Sequence, residues 1–505
     1  MKNYTSLNFA VLGIFSGLSL SFLFLLPVVI FSYWYFVKKN LSANLIKLSL
    51  VRGWLFGIGF FLGSMHWIVS PFLIYERHFV LAPISLLFPI LMGLFFIIPA
   101  CILQISQNYL RVFKQNFIFL QSFIIASSFF LAEIIRSYIF GGLPFNLTAH
   151  IWAFREELIQ ISKYIGVYGL SFLTLIWISF LISLINRNYW KTLLFTFLFF
   201  PIFLFSFNYF DQNKGDNYNE LTFRIIQPNI NQKDKWDKLL FEKNLDRLLN
   251  LTTKDNFYSK EIIVVWPEVA LTFFLNEESD LISYLTKKIP KNMKIITGGL
   301  RRVFSNNDYE IYNTLYLLNN ETLSFYDKKK LVPFGEFVPL RGILNLFKLT
   351  PGSTDFSEGK KENQIKVVLN NLVIYFEPSI CYEAIFQTSG AELSSIMINI
   401  TNDAWFGKTT GPRQHLAAQI FRSVEKSVFF LRSANSGISV AVDNKGRILK
   451  KMELGSEGYF DIKIQSVVST TAFEKYGNFL IFILFVVLLI FFCLIEFLLS
   501  IKRKH

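Results

Sequence analysis

The stretch "IKVVLNNLVIYFEPSICYE" (365–383) reads as two strands meeting at Asn370–Asn371, the second running out into Cys381. Its surroundings alternate in the same way. "LTFRIIQPNI" (221–230), "EIIVVWPE" (261–268) and "MKIITGGL" (293–300) read as strands, the last leaving through Gly298–Gly299. "LLFEKNLDRLLNLT" (239–252) reads as a helix. "YNTLYLLNNETLSFYDKKKL" (312–331) reads as a hairpin turned at Asn319–Asn320. "SSIMINITNDAWFG" (394–407) is a strand and loop, "QHLAAQIFRSVEKSVFFLRSANSG" (414–437) a long helix stopped at Gly437, and "GISVAVDNKGRILKKME" (437–453) a closing hairpin. Strands alternating with helices, plus hairpins, predict a layered α/β sandwich of about 250 residues without internal repeats.

Outside this domain the composition changes. The chain has 505 residues, 52% hydrophobic and 17% charged, with a mean hydropathy of +0.41. From Met1 to about Asn208 the charges cluster between apolar runs of roughly 18 to 25 residues, the length that crosses a bilayer. Spans are predicted near Leu7–Val37 (a long run that could fold as a hairpin of two short helices), Gly53–Leu73, Ala82–Ile105, Phe117–Phe140, Tyr164–Ile185, Thr192–Phe207 and Phe479–Ile501. The first run is too long for a signal peptide and lacks a small-residue cleavage site. The predicted organisation is therefore a multi-span region 1–207, a polar linker 208–220, an α/β domain 221–465 and a terminal apolar helix 478–501.

Lysine and arginine orient the spans. Lys38, Lys39, Lys47 and Arg52 share one loop; Arg111 and Lys114, Arg187 and Lys191, and Lys502–Lys504 follow at two-span intervals. The alternate loops carry Arg77 alone, or Arg155 and Lys163 offset by Glu156 and Glu157. Positive loops mark the cytoplasm, which places the α/β domain on the opposite, exported side. Much of the +14 net charge lies in these loops. No basic stripe with interleaved aromatics is present in the exported domain, so nucleic acid is not an expected partner.

Of three cysteines, Cys101 and Cys493 fall in predicted spans, where they pack as small hydrophobes, leaving Cys381 without a partner in its own domain. A lone thiol in an oxidising compartment is either buried and inert or reactive. Its strand-to-helix position would aim backbone N–H groups at it, lowering its pKa and stabilising an oxyanion. The domain's one histidine, His415, reads as structural, which shifts the base to a carboxylate. Glu268 ends the apolar strand in "VVWPEVAL", and its apolar neighbours suit it to that task. Lys328 leaves a strand ahead of "LVPFGE", a Pro- and Gly-shaped loop presenting Glu336 inward; Lys329 and Lys330 read as solvated. A cysteine with a Glu base and a Lys beside the oxyanion is coherent for acyl transfer. No cluster has metal-ligand spacing, and no cofactor is expected.

"WPEVA", "KKKLVPFGEFVPLR" and "ICYEAIF", in this order and between membrane spans, resemble the apolipoprotein N-acyltransferases, the membrane branch of the nitrilase (carbon–nitrogen hydrolase) superfamily. The resemblance covers essentially the whole chain. It implies a nitrilase-like α-β-β-α sandwich and a Glu268–Lys328–Cys381 triad. Glu336, Tyr382 and Glu383 would have supporting roles, and Trp236 in "NQKDKW" and Asn313 in "YNTLY" match positions near the substrate. It also accounts for Glu133 and Arg136 with "GGLPFNL", although Phe145 stands where the family pattern has Trp. The implied reaction moves a fatty acyl chain from a membrane phospholipid, with phosphatidylethanolamine the expected donor, through a cysteine thioester. The acceptor is the diacylglyceryl-modified N-terminal cysteine of an apolipoprotein. The implied setting is the bacterial inner membrane, with a periplasmic site, a cytoplasmic C-terminus and a monomeric protein. Trp405, Phe406 and "GILNLFKLTPG" (342–352) are candidate bilayer or lid contacts. The alternatives are a membrane-tethered amidohydrolase that releases the acyl group to water, and a membrane scaffold or transporter with an inactive nitrilase-like domain. The multi-span half argues against the first and the presence of all three triad residues against the second.

Overall fold

The computed structural model describes residues 4–23, 25–109, 112–114, 117–187, 189–207, 220–255, 261–305, 308–319, 322–339, 354–360, 364–369, 372–387, 396–465 and 470–502. They divide into two compact units: Met1–Val69, Val80–Gln212 and Thr471–His505 form one, Ser70–Phe79 and Asn213–Thr470 the other. The predicted turns at Asn319–Asn320 and Asn370–Asn371, most of the linker 208–220, and the 342–352 loop lie wholly or partly outside the described residues.

The first apolar run is broken into α1 (Tyr4–Leu18), a π turn (Ser19–Leu23) and α2 (Leu26–Leu41). Pro27 sits in the first turn of α2, where its missing N–H costs nothing, and Lys38 and Lys39 sit in the last, where the helix dipole favours cations. The next helix, α3 (Ile46–Ser64), lies against α1 at backbone contact: a Cβ on Gly59 would meet the Ala10 carbonyl, and one on Gly13 would meet that of Phe56. Only small residues permit this approach. Further along come α4 (Leu87–Met92), α5 (Ile97–Asn108), α6 (Ile118–Tyr138), α7 (Ser162–Asn186) and α8 (Trp190–Ser206).

Two buried charges on α6 are used on one loop. Glu133 Oε1 accepts from the Thr148 N–H at 2.9 Å and the Thr148 hydroxyl at 2.5 Å, and Arg136 donates to the carbonyls of Leu143 (2.7 Å) and Phe145 (2.6 Å). Phe145 is buried with its ring against Trp67. Backbone groups inside a membrane unit need such partners, because hydrocarbon supplies none.

The α/β unit opens with β1 (Glu220–Gln227), α9 (Phe241–Thr253), β2 (Ile262–Val265) and α10 (Ser279–Lys288). Then come β3 (Met293–Ser305), β4 (Asp308–Asn319), β5 (Thr322–Asp327), β6 (Ile365–Leu369), β7 (Leu372–Ile380), β8 (Ile396–Thr401) and α11 (Gly411–Lys426). It closes with β9 (Phe429–Ala434), β10 (Ser439–Val442), β11 (Ile448–Met452) and β12 (Gly458–Gln465). Two six-stranded sheets result, ordered β12-β1-β2-β3-β4-β5 and β11-β10-β9-β8-β7-β6. In each, the inner strands run parallel: β1, β2 and β3 in the first, β7, β8 and β9 in the second.

Phe223, Ile225 and Val265 of the first sheet share one core with Phe376, Ile398 and Leu431 of the second. The outer face of the first sheet buries Val264 and Ile295 against Leu245 and Leu248 of α9 and Leu285 of α10. The expected α-β-β-α sandwich is therefore the one adopted, and its parallel strands are buried on both faces.

Two sequence readings are corrected. The helix expected to reach Gly437 ends at Lys426, where Ser427 turns left-handed at φ 54°. The β-branched and aromatic "VFFLRSA" that follows pairs with β8 and β10 instead. Gly298 and Gly299 do not end their strand but lie inside β3, which continues to Ser305 and pairs with β4.

The last elements are α12 (Ala472–Tyr476) and α13 (Phe479–Lys502). Glu496 of α13 accepts from the Phe119 N–H at the start of α6 at 2.8 Å, a carboxylate on a helix N-terminus. Among the described residues, five helical stretches are long and apolar enough to cross a membrane: Ile46–Ser64, Glu76–Asn108, Ile118–Gly141, Ser162–Asn186 and Phe479–Ile501.

Candidate active site

Glu268 lies three residues beyond β2, at the C-terminal end of the parallel strands. Its segment runs beside β3, with Trp266 N–H donating to Ile296 O and Gly298 N–H to Pro267 O. Gly298 is required there, since a Cβ would stand 2.3 Å from Val269 N and 2.7 Å from Glu268 Cα. Val269 then turns left-handed at φ 45°. Lys328 immediately follows β5, its N–H bonded to Asn313 O and its carbonyl accepting from Gly359. Glu336 sits on the next turn, shaped by the left-handed Phe334 at φ 62°.

These side chains converge. The Lys328 ammonium, 1% exposed, lies 2.9 Å from Glu336 Oε1 and 3.6 Å from Glu268 Oε1. Asn313 bridges the same two carboxylates, donating from Nδ2 at 2.7 Å to Glu268 and 2.9 Å to Glu336. The far oxygen of Glu336 accepts from Val332 N–H at 2.8 Å. Burial alone would lower the Lys328 amine, but Glu336 and Glu268 outweigh it and hold it well above the usual lysine range. It stays charged.

Cys381 opens a 3-10 turn (Cys381–Ile385) directly after β7, in the left-handed region at φ 53°. A non-glycine residue there is strained, and such strain gathers at functional sites. Glu383 ties this turn down. It accepts from Ile380 N–H (2.7 Å), Lys329 N–H (2.6 Å), Lys330 N–H (3.1 Å) and the Tyr326 hydroxyl (3.1 Å). One buried carboxylate thus joins the cysteine turn to the segment carrying Lys328. Burial raises the Glu383 carboxyl, against the pull of Lys328 and the three backbone donors. The Tyr382 ring packs edge-on against Phe386.

The thiol departs from the sequence expectation. Burial and the nearby Glu268 charge push it up to about 12, and Lys328 offsets this only in part. Lys328 and a hydrogen bond with Thr401 do not overcome desolvation, so the thiol is neutral at rest and must lose its proton as it attacks.

Sequence reasoning missed the layer behind the cysteine. His415 is fully buried, with Nδ1 2.9 Å from Asp403 and Nε2 accepting from Gln419 at 2.8 Å. Arg432 donates to both Asp403 and Gln419. Gln419 and Asn399 in turn donate to the Cys381 carbonyl at 3.2 and 3.3 Å. His415 therefore buttresses the site, in keeping with its structural reading. Lys235 was also missed: it is buried, and its Nζ donates to the Glu268 carbonyl at 2.8 Å. Its sequence neighbour Trp236 is half-buried. Lys330 is exposed, in keeping with its solvated reading, whereas Lys329 is half-buried; the N–H groups of both serve Glu383. Among the described residues, no group of three His, Cys, Asp or Glu side chains could hold a metal ion.

A half-buried thiol, a lysine held between two carboxylates, and two sheets back to back define an enzyme of the carbon–nitrogen hydrolase class. Residues 223–473 match the family model described as carbon-nitrogen hydrolase, and residues 9–181 match that described as apolipoprotein N-acyltransferase N-terminal domain. Proteins named apolipoprotein N-acyltransferase from Rickettsia prowazekii and Rickettsia typhi are both 34% identical to it, over 95% and 93% of this chain and 96% and 94% of theirs. One of the same name from Brucella melitensis is 30% identical over 83% of this chain and 80% of its own. The chain belongs to the apolipoprotein N-acyltransferase family.

Proposed function

We propose that this enzyme takes a fatty acyl chain from a membrane phospholipid, phosphatidylethanolamine in the first instance, and delivers it to the α-amine of a lipoprotein's diacylglyceryl-cysteine. Glu268 removes the Cys381 proton as Sγ attacks the ester carbonyl. The Lys328 ammonium and the Tyr382 N–H stabilise the tetrahedral oxyanion. The C–O bond breaks, Glu268 returns the proton to the departing alkoxide, and lysophospholipid leaves a thioester on Cys381. The acceptor amine then attacks the thioester carbonyl, Glu268 takes its proton, the C–S bond breaks, and Glu268 returns that proton to Sγ as the amide product leaves. Glu336 and Asn313 orient Lys328 and Glu268, Glu383 holds the nucleophile turn, and Trp236 borders the substrate. Residues 221–465 form the catalytic domain, on the periplasmic side of the inner membrane, with the C-terminus cytoplasmic and the protein acting as a monomer.

What supports this reading most directly is the buried Lys328–Glu268–Glu336 cluster facing a neutral thiol, carried on a chain with membrane-length helices. Both proposed substrates are anchored in a bilayer. The test is mass spectrometry of the protein incubated with acyl-labelled phospholipid and no acceptor. The expected result is one hydroxylamine-sensitive acyl group on the Cys381 peptide, absent from Cys381→Ser and discharged by a diacylglyceryl-peptide. Free fatty acid released without an adduct would point to a hydrolase instead.

A further inference from the structure

In "NQKDKW" (231–236), Lys233 and Asp234 are exposed while Lys235 turns inward. The 3-10 turn Asp234–Trp236 sets this direction, with Lys235 N–H bonded to Asn231 O at 3.0 Å. Only 6% of Lys235 is exposed, and its ammonium spends one N–H on the Glu268 carbonyl. That carbonyl sits between Pro267 and the left-handed Val269, where the chain leaves the strand. A charged amine buried at this point is costly unless the charge is used.

The groups facing it are those of the site. Glu268 and Cys381 both act on its charge. Lys328 stands beyond Glu268, 3.6 Å from that carboxylate. On its own segment Lys233, Asp234 and Asp237 face solvent. Glu268 and Glu336 set two carboxylates against the single Lys328 ammonium. Moving the Cys381 proton to Glu268 leaves the net charge of the site unchanged, so Lys328 alone leaves it one cation short throughout the step.

We infer that Lys235 is a positioning residue of the acylation step: its ammonium pins the Glu268 backbone, keeping the base in register with Cys381, and supplies the site's second positive charge. This rests on the acyl-cysteine reading above. Burial lowers the Lys235 amine to about 8, against the opposing pull of Glu268 and Cys381. The charged form therefore prevails below that pH and is lost above it, within reach of an ordinary pH profile.

The experiment is single-turnover acylation of the full-length protein in phospholipid micelles, quenched in acid and read by mass spectrometry from pH 6 to 10. Wild type should acylate at a rate that falls above pH 8. Lys235→Met should be about 10²-fold slower, the scale of a misplaced catalytic group, and its profile should lack the alkaline fall. Lys235→Arg, which keeps the charge, should recover most of the rate and hold it to pH 10. A Met variant with wild-type rate, or an Arg variant whose rate still falls at pH 8, overturns the inference. If Met does not fold, the Arg profile decides alone. Absence of any adduct in wild type would instead sink the acyl-cysteine reading, so the two failures are distinguishable.

Discussion

The Lys328 ammonium lies 2.9 Å from the Glu336 carboxylate, and both groups are buried. Breaking this pair leaves buried Lys328 with only the more distant Glu268, 3.6 Å away, a larger loss than the pair's own net worth. Glu336→Gln keeps the shape and an acceptor for Val332. It should cost about 3 kcal/mol of stability and slow Cys381 acylation. Thermal unfolding with the acylation assay checks both; an unchanged melting temperature would mean the pair is solvated.

Glu268 has two effects of opposite sign. Its charge helps hold the Cys381 thiol up near 12, yet the same carboxylate is the proposed proton acceptor. Glu268→Gln should therefore speed alkylation of Cys381 by iodoacetamide at pH 8, because the thiol becomes more acidic, while abolishing acyl transfer. Alkylation that slows together with transfer would refute the electrostatic account.

Gly298 carries no functional group, but β3 passes within contact of the Glu268 backbone there. Gly298→Ala would force the segment outward. We expect about 2 kcal/mol of destabilisation from overpacking and about a 10²-fold slower acylation from displacing the base. Wild-type kinetics in a folded variant would show that the Glu268 segment tolerates movement.

Asp403 anchors the layer behind Cys381. Burial alone would raise its carboxyl, but Arg432 and His415 hold it below the ordinary 3.8. A depressed carboxyl contributes stability that is complete above its unfolded pKa and is lost as pH falls through the folded one. Asp403→Asn should thus cost about 3 kcal/mol at pH 7, where Arg432 loses its carboxylate partner and keeps only neutral acceptors. The gap from wild type should narrow below pH 3.8. Unfolding curves at both pH values test this, and an equal gap at each would contradict it.

Much of the fold was legible because local signals agreed. Five of the seven predicted spans (all but the two that form the shorter apolar helices Leu7–Ser21 and Thr192–Ser206), the buried "EIIVVWPE" strand and the hairpins around 319 and 370 required only hydrophobic patterning and turn residues. The reading failed where two patterns overlap. "EKSVFFLRSA" continues a helical stripe and also suits a strand, and pairing with β8 and β10 decided for the strand. In the site, Glu268, Lys328 and Cys381 stood out as strand-end polar residues, and the structure brings Glu336 and Asn313 onto the same lysine and carboxylate. Lys235, Gln419, Asn399 and Asp403 gave no such signal, since each is an ordinary polar residue until burial gives its hydrogen bond a price.

The sequence by itself determined most of the membrane-length helices, the layered α/β class and the order of the candidate site residues, because hydropathy and strand ends are properties of neighbouring positions. Only the tertiary structure decided the protonation state of the thiol, the inward turn of Lys235 and the bridge from Glu383 to the lysine segment. Those depend on desolvation and on charges brought together from strands far apart in the chain, which no local pattern records.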